Sequence, residues 1–274
     1  MGTVGEPLGQ GQLAGAVPVQ RPVATLARVV TALVLRESKT RFGRSRFGYV
    51  WALVEPMAYV GIFLAIRTAV GRSPVFGESV ILFVMTGLLA TRLFIAIASR
   101  LTASISSNRA LLAYPPVKPN DVIFARFILE TVTMLIVVLV FFAGLQLAAR
   151  YEVVISFSAF TAALAATVFL ALGVGMFNAV VSVLYPLWGR LFGLMRLPIF
   201  LLSGIFYVPK QMPVNAQAVL EWNPVLHCVE WLRTASYLSY DPLLDRGYVM
   251  WFAATAFTLG FALERAYRYR LLAG

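Results

Sequence analysis

Residues 36–56 read RESKTRFGRSRFGYVWALVEP, a basic run that passes without a linker into an apolar one. Arg36, Lys39, Arg41, Arg44 and Arg46 fall within its first eleven positions, whereas over 49–66 the only fully charged side chain is Glu55. Arg and Lys are retained on the cytoplasmic side of a membrane-inserted segment, so this junction predicts where a first span starts and which side faces the cytoplasm.

The whole chain agrees with that reading. Its 274 residues are 60% hydrophobic and only 13% charged, with mean hydropathy +0.81, which excludes an ordinary soluble domain and predicts an all-α polytopic membrane protein. A net charge of +11 then belongs to membrane-surface loops and is no argument for nucleic acid. The single Cys228 excludes an internal disulfide. Residues 1–21 have no basic start, apolar stretch or cleavage site, so they read as a flexible cytoplasmic tail rather than a secretory signal. Over 22–40, Val23, Leu26, Ala27, Val30, Leu33 and Val34 recur with helical spacing, which predicts an amphipathic helix lying in the headgroup plane, a plain helical linker being the other reading.

About 20 apolar residues cross a bilayer as helix. Spans are predicted at 49–66, 79–99, 122–148, 157–184, 190–207 and 247–264. The fifth is short and carries Arg196 and Pro198, but the loop charges require it. With six spans, 16 basic residues lie on one side and six on the other, with Arg92 inside the second span, so both termini are expected in the cytoplasm. Between the fifth and sixth spans, 213–238 is too short to cross and breaks at Asn223-Pro224, which predicts two short re-entrant helices entering from the outer face. Trp222, Trp231, Tyr237 and Tyr240 would mark the outer boundary there. No internal repeat is visible, against the inverted-repeat transporters.

Chemistry is scarce. No G-x-x-x-x-G-K-S/T occurs, since none of the three lysines follows a glycine, and one His with one Cys cannot build a His- or Cys-rich metal site. No catalytic residue, metal ligand or bound cofactor is therefore expected, and an energised function must borrow its energy from a partner. Glu55, Arg92 and Glu130 are charges inside spans, costing roughly 2.5–3.5 kcal/mol each on insertion scales, so Arg92 is expected to pair with one of the carboxylates. The cytoplasmic segment 100–121 includes NRALLAYPPVKPND, stiffened by three prolines; Arg109, Leu111, Leu112 and Tyr114 make it either a contact element or a tight connector.

Three blocks, 39–56, 108–131 (NRALLAYPPVKPNDVIFARFILET) and 202–233 (with LSGIFYVPKQMP and LEWNPVLHCVEWLR), resemble ABC-2 type permeases. The likeness is greatest to capsular polysaccharide export permeases of the KpsM type. It runs from about Leu26 to the C-terminus. The resemblance implies a homodimer in the bacterial inner membrane, with two ABC ATPase subunits that bind ATP and Mg, and with periplasmic and outer-membrane polysaccharide export proteins as further partners. It also implies an interface helix before Arg36, a coupling element for the ATPase at Arg100–Tyr114, periplasmic gate helices carrying Trp222, Trp231 and Tyr237, and a channel for an anionic, lipid-linked polysaccharide. O-antigen and teichoic-acid permeases share the plan.

Such a polymer needs a protein-lined wet path, because its charges cannot be stripped of water. Cations at the mouth would be Arg41, Arg44 and Arg46, which read equally as topology anchors. Flat rings that can contact sugar faces would be Tyr49, Trp51 and Tyr59 in the first span and Phe200, Phe206 and Tyr207 in the fifth, each of which also reads as packing. A membrane glycosyltransferase using Glu221, Glu230, Asp241 or Asp245, or a passive channel or scaffold, are the readings from other classes.

Overall fold

The computed structural model describes residues 31–36, 48–69, 76–77, 79–112, 117–149 and 152–273. Arg41, Arg44, Arg46 and Tyr114 lie outside the described residues, as do the side chains of Tyr49, Trp51 and Glu55. The described chain is helical with no strand: α1 (31–36), α2 (Gly48–Ala69), α3 (Val80–Thr102), α4 (Ser104–Ser107), α5 (Arg109–Leu112), α6 (Pro119–Ala148), α7 (Phe157–Leu184), α8 (Pro186–Leu202), a 3-10 turn at Pro209–Gln211, α9 (Val214–Leu220), α10 (Pro224–Ser236) and α11 (Arg246–Ala273). Among the described residues α3, α6 and α7 are long and apolar enough to cross a membrane.

Local chemistry sets the boundaries. Ser79 and Ser156 start α3 and α7 by accepting, at 3.3 Å, the backbone N–H of Leu82 and Ala159. Asp121 accepts the Lys118 N–H at 2.9 Å, with Pro119 at the first position of α6. Asn223 caps α10 through the Val225 N–H, 3.1 Å, and Pro224 follows it. The helix α8 stops at Leu202, and Gly204, at φ +74°, turns the chain. Phe206 and Tyr207, expected inside a fifth helical span reaching 207, therefore sit in the turn beyond it.

The core is built on α3 and α7. α3 is buried along most of its length, from Leu82 through Leu89, Leu93 and Ile97 to Leu101. α7 packs most extensively on α11 and α3, and α10 fits against both α7 and α3. Glycines permit this closeness: a Cβ on Gly173 would stand 2.4 Å from the Ala253 carbonyl, and one on Gly260 would stand 2.6 Å from the Phe177 nitrogen. Helices in lipid gain no hydrophobic drive from associating, so backbone approach through small residues supplies the packing. By contrast α8 has no fully buried residue, and Leu187, Leu194 and Leu197 are exposed along it.

Candidate functional site

Three of the expected pathway rings meet in a row. Tyr59 on α2 and Phe200 on α8 have ring centroids 5.9 Å apart; Phe200 is 5.8 Å from Phe206, and Phe206 is 4.7 Å from Phe63 on α2. Tyr59, Phe200, Phe206 and Phe63 thus form a string that joins α2 to α8 and to the turn after it. Phe63 escaped the sequence reading because a lone Phe in an apolar helix carries no signal. The guanidinium of Arg92 on α3 lies 4.9 Å from the Tyr59 centroid, a cation–π contact that ties α3 to the same string. Tyr207 is half-buried in the adjoining turn.

Glu130 is 3% exposed on α6, with Arg100 at 4.0 Å; the expected pairing of Arg92 with Glu55 or Glu130 turns in part on the Glu55 side chain, which lies outside the described residues. Arg100 is itself largely exposed, so that pair is screened and contributes little. In the segment after α3, Arg109 is exposed, Leu111 is half-buried and Leu112, 6% exposed, enters the main core. Leu112 therefore holds the segment down while Arg109 faces outward.

On the opposite end, Trp222 is 79% exposed, Trp231 packs against the main core with Arg246 5.1 Å from its ring, and Tyr237 stacks edge-on with Phe76 at 5.4 Å. Beneath them lies a polar cluster that the sequence did not announce. Arg233 and Glu230 are both fully buried in α10, and Arg233 Nη1 donates to Glu230 Oε1 at 2.9 Å. Arg233 Nη2 donates to the Gly204 carbonyl at 2.6 Å and to that of Ile205 at 3.3 Å. The Tyr240 hydroxyl and the Leu243 N–H donate to Glu230 at 2.8 and 3.0 Å, and the guanidinium lies 3.8 Å from the Phe83 centroid on α3. Burial pushes the Tyr240 phenol above its usual range, which keeps its proton available to Glu230.

Space for this cluster comes from glycine. A Cβ on Gly87 would meet Ile205 Cα at 2.9 Å and Arg233 Nη2 at 3.2 Å. The i, i+3 spacing of Glu230 and Arg233 was the one available hint, but spacing alone does not distinguish a buried pair from a solvated one. His227 is structural: Nε2 donates to the Glu221 carbonyl at 2.9 Å, while Nδ1 accepts the Asp245 N–H at 3.1 Å, joining the end of α9 to the start of α11. Lys210 pairs with Asp241 nearby. Glu221 and Asp245, with His227, Lys210 and Trp222, line a cavity of about 560 Å³ at this end. No group of His, Cys, Asp and Glu able to hold a metal ion occurs among the described residues.

At the other end of the bundle, the fully buried Glu264 of α11 accepts from Asn120 Nδ2 at 3.0 Å and from Arg268 at 3.0 and 3.2 Å, fastening α11 to the start of α6.

Residues 28–237 match the family model of the ABC-2 type transporter. The chain belongs to that family. It is 31% identical over 239 residues to the polysialic acid transport protein KpsM of Escherichia coli, covering 86% of this chain and 92% of that one. It is 28% identical over 215 residues to the capsule polysaccharide export inner-membrane protein BexB of Haemophilus influenzae, covering 78% and 81%. With the capsule polysaccharide export inner-membrane protein CtrC of Neisseria meningitidis serogroup B it shares 27% over 219 residues, covering 80% and 82%. This ABC-2 chain is thus similar over most of its length to inner-membrane subunits of capsule polysaccharide export.

Proposed function

We propose that this protein is the permease subunit of an ATP-driven exporter that carries an acidic, lipid-linked capsular polysaccharide across the inner membrane. The observation that carries the reading is the Tyr59–Phe200–Phe206–Phe63 string between α2 and α8, in a chain that belongs to the ABC-2 family and is similar to capsule export proteins. Rings of this kind offer flat apolar faces to sugars while the hydroxyl groups of the polymer stay hydrated.

The remaining parts are proposals of the same reading. Six spans leave both termini in the cytoplasm. Two copies form the channel at their interface, with α8, which has no buried residue of its own, among the helices lining it. Arg41, Arg44 and Arg46, with Tyr49 and Trp51, form the inner mouth. Two ABC ATPase subunits hold ATP and Mg, this chain itself carrying no cofactor, and they act through Arg109 and the segment around Leu111, Leu112 and Tyr114. The α9–α10 pair is the periplasmic gate with Trp222, Trp231 and Tyr237, and it passes the polymer to periplasmic and outer-membrane export proteins. The buried Arg233–Glu230 pair would make the gate helix α10 move together with the Gly204 turn and α3.

Deletion of this chain should abolish surface polysaccharide while cytoplasmic polymer accumulates, and the purified complex with its ATPase should hydrolyse ATP. Surface polysaccharide unchanged by the deletion would overturn the export reading.

A further inference from the structure

Arg190 and Arg196, both on α8, have no part in the string or in the outer cluster. They line one groove of about 440 Å³ with Ser99 of α3, Ser106 of α4, Ser182 of α7 and the bare backbone of Gly193. On the proposed topology Arg190 stands at the inner boundary, and Arg196, six residues on, is about 9 Å deeper along the helix. A charge at that depth is costly unless it meets an anion or water. Arg196 instead turns back: its Nε donates to the Gly193 carbonyl at 3.1 Å, and a Cβ on Gly193 would stand 3.7 Å from its Nη2. The long side chain thereby reaches toward the boundary and toward Arg190.

Nothing described neutralises these two charges. Among the described residues neither arginine has a carboxylate within ion-pairing distance; at this end Asp121 caps α6, Glu264 pairs with Arg268, and Glu130 lies 4.0 Å from Arg100. Ser99, a residue of the same groove wall, has a buried hydroxyl with no hydrogen-bond partner. The groove also sits at the N-terminal end of the 17-residue α8, where the helix dipole adds positive charge. Two forked cations, a hydroxyl donor and a floor of glycine suit the tetrahedral oxygens of a phosphate.

We infer that this groove grips the phosphodiester of a lipid at the inner membrane boundary, through Arg190, Arg196 and Ser99. The phosphodiester comes from a membrane phospholipid or from the linker of a lipid-anchored glycan; the chemistry is common to both. The inference rests on the topology proposed above, but lipid retention does not require export to occur.

The test is native mass spectrometry of the full chain in detergent micelles, titrated with phosphatidylglycerol. The substitution pair Arg190→Gln with Arg196→Gln should weaken retention about tenfold or more, whereas Arg265→Gln with Arg270→Gln, equal in charge and not among the residues lining the groove, should change it less than about twofold. The pair Arg190→Lys with Arg196→Lys keeps the charge and should recover part of the affinity. Dodecyl glucosyl phosphate is then added as competitor: displacement of phosphatidylglycerol at equal concentration assigns the site to a sugar-bearing linker, and retention assigns it to membrane phospholipid. Equal loss from both glutamine pairs, or none from either, overturns the site. So does a loss of dimer with unchanged lipid retention, which would mean that a second copy supplies the anion.

Discussion

Arg233 donates to the backbone carbonyl of Gly204 at 2.6 Å, across 29 residues of sequence, and so locks the helix α10 onto the turn that ends α8. The same guanidinium holds Glu230 and covers the Phe83 ring of α3. One side chain therefore couples three elements at this end of the bundle.

Arg233→Met should lower stability by about 3–5 kcal/mol, because Glu230 would remain buried as an unpaired charge. The double variant with Glu230→Gln should recover a large share. Thermal unfolding in detergent checks both; equal melting temperatures for the single and double variants would mean that the pair is not coupled.

Gly173→Val should prevent normal assembly, since a Cβ there would stand 2.4 Å from the Ala253 carbonyl and overpacking costs about 1–3 kcal/mol or more. Gly144→Ala meets open space and should leave yield and melting unchanged. Yield of monodisperse protein after detergent extraction separates the two.

Tyr59→Ala combined with Phe200→Ala should reduce surface polysaccharide severalfold while the protein still folds, because both rings are partly open rather than central to the core. Quantified surface polymer beside membrane protein level is the measurement. Unchanged export at normal protein level would remove the string from the pathway.

Leu112 and Arg109 should differ in kind. Leu112→Ala removes a core side chain and should cost about 2–5 kcal/mol in stability. Arg109→Ala, on the exposed side, should leave melting unchanged and lower ATPase activity of the assembled complex. Circular-dichroism melts together with phosphate release distinguish an anchoring residue from a coupling one.

Capping by Ser79 and Ser156 and the start of α6 at Pro119 came only with the structure, but the break at Asn223-Pro224 and the approximate span ends were legible because they depend on neighbours in sequence. Partnerships were not. Glu130 meets Arg100, which the sequence had left as one more basic residue at the end of a span. Phe63 joined the ring string only because the turn after α8 brings Phe206 against α2. Glu230 and Arg233 read only as two charges of the second re-entrant helix, with nothing to pair them.

The sequence by itself determined that the chain is an apolar, helical membrane protein, predicted its orientation from the Arg and Lys distribution, and carried the resemblance to its family. These follow from composition, periodicity and local motifs, all read along the chain. Only the tertiary structure decided which charges are buried, which rings touch and which arginines line one groove. Those depend on the close approach that Gly87, Gly173 and Gly260 allow between helices far apart in sequence, a property no single helix contains.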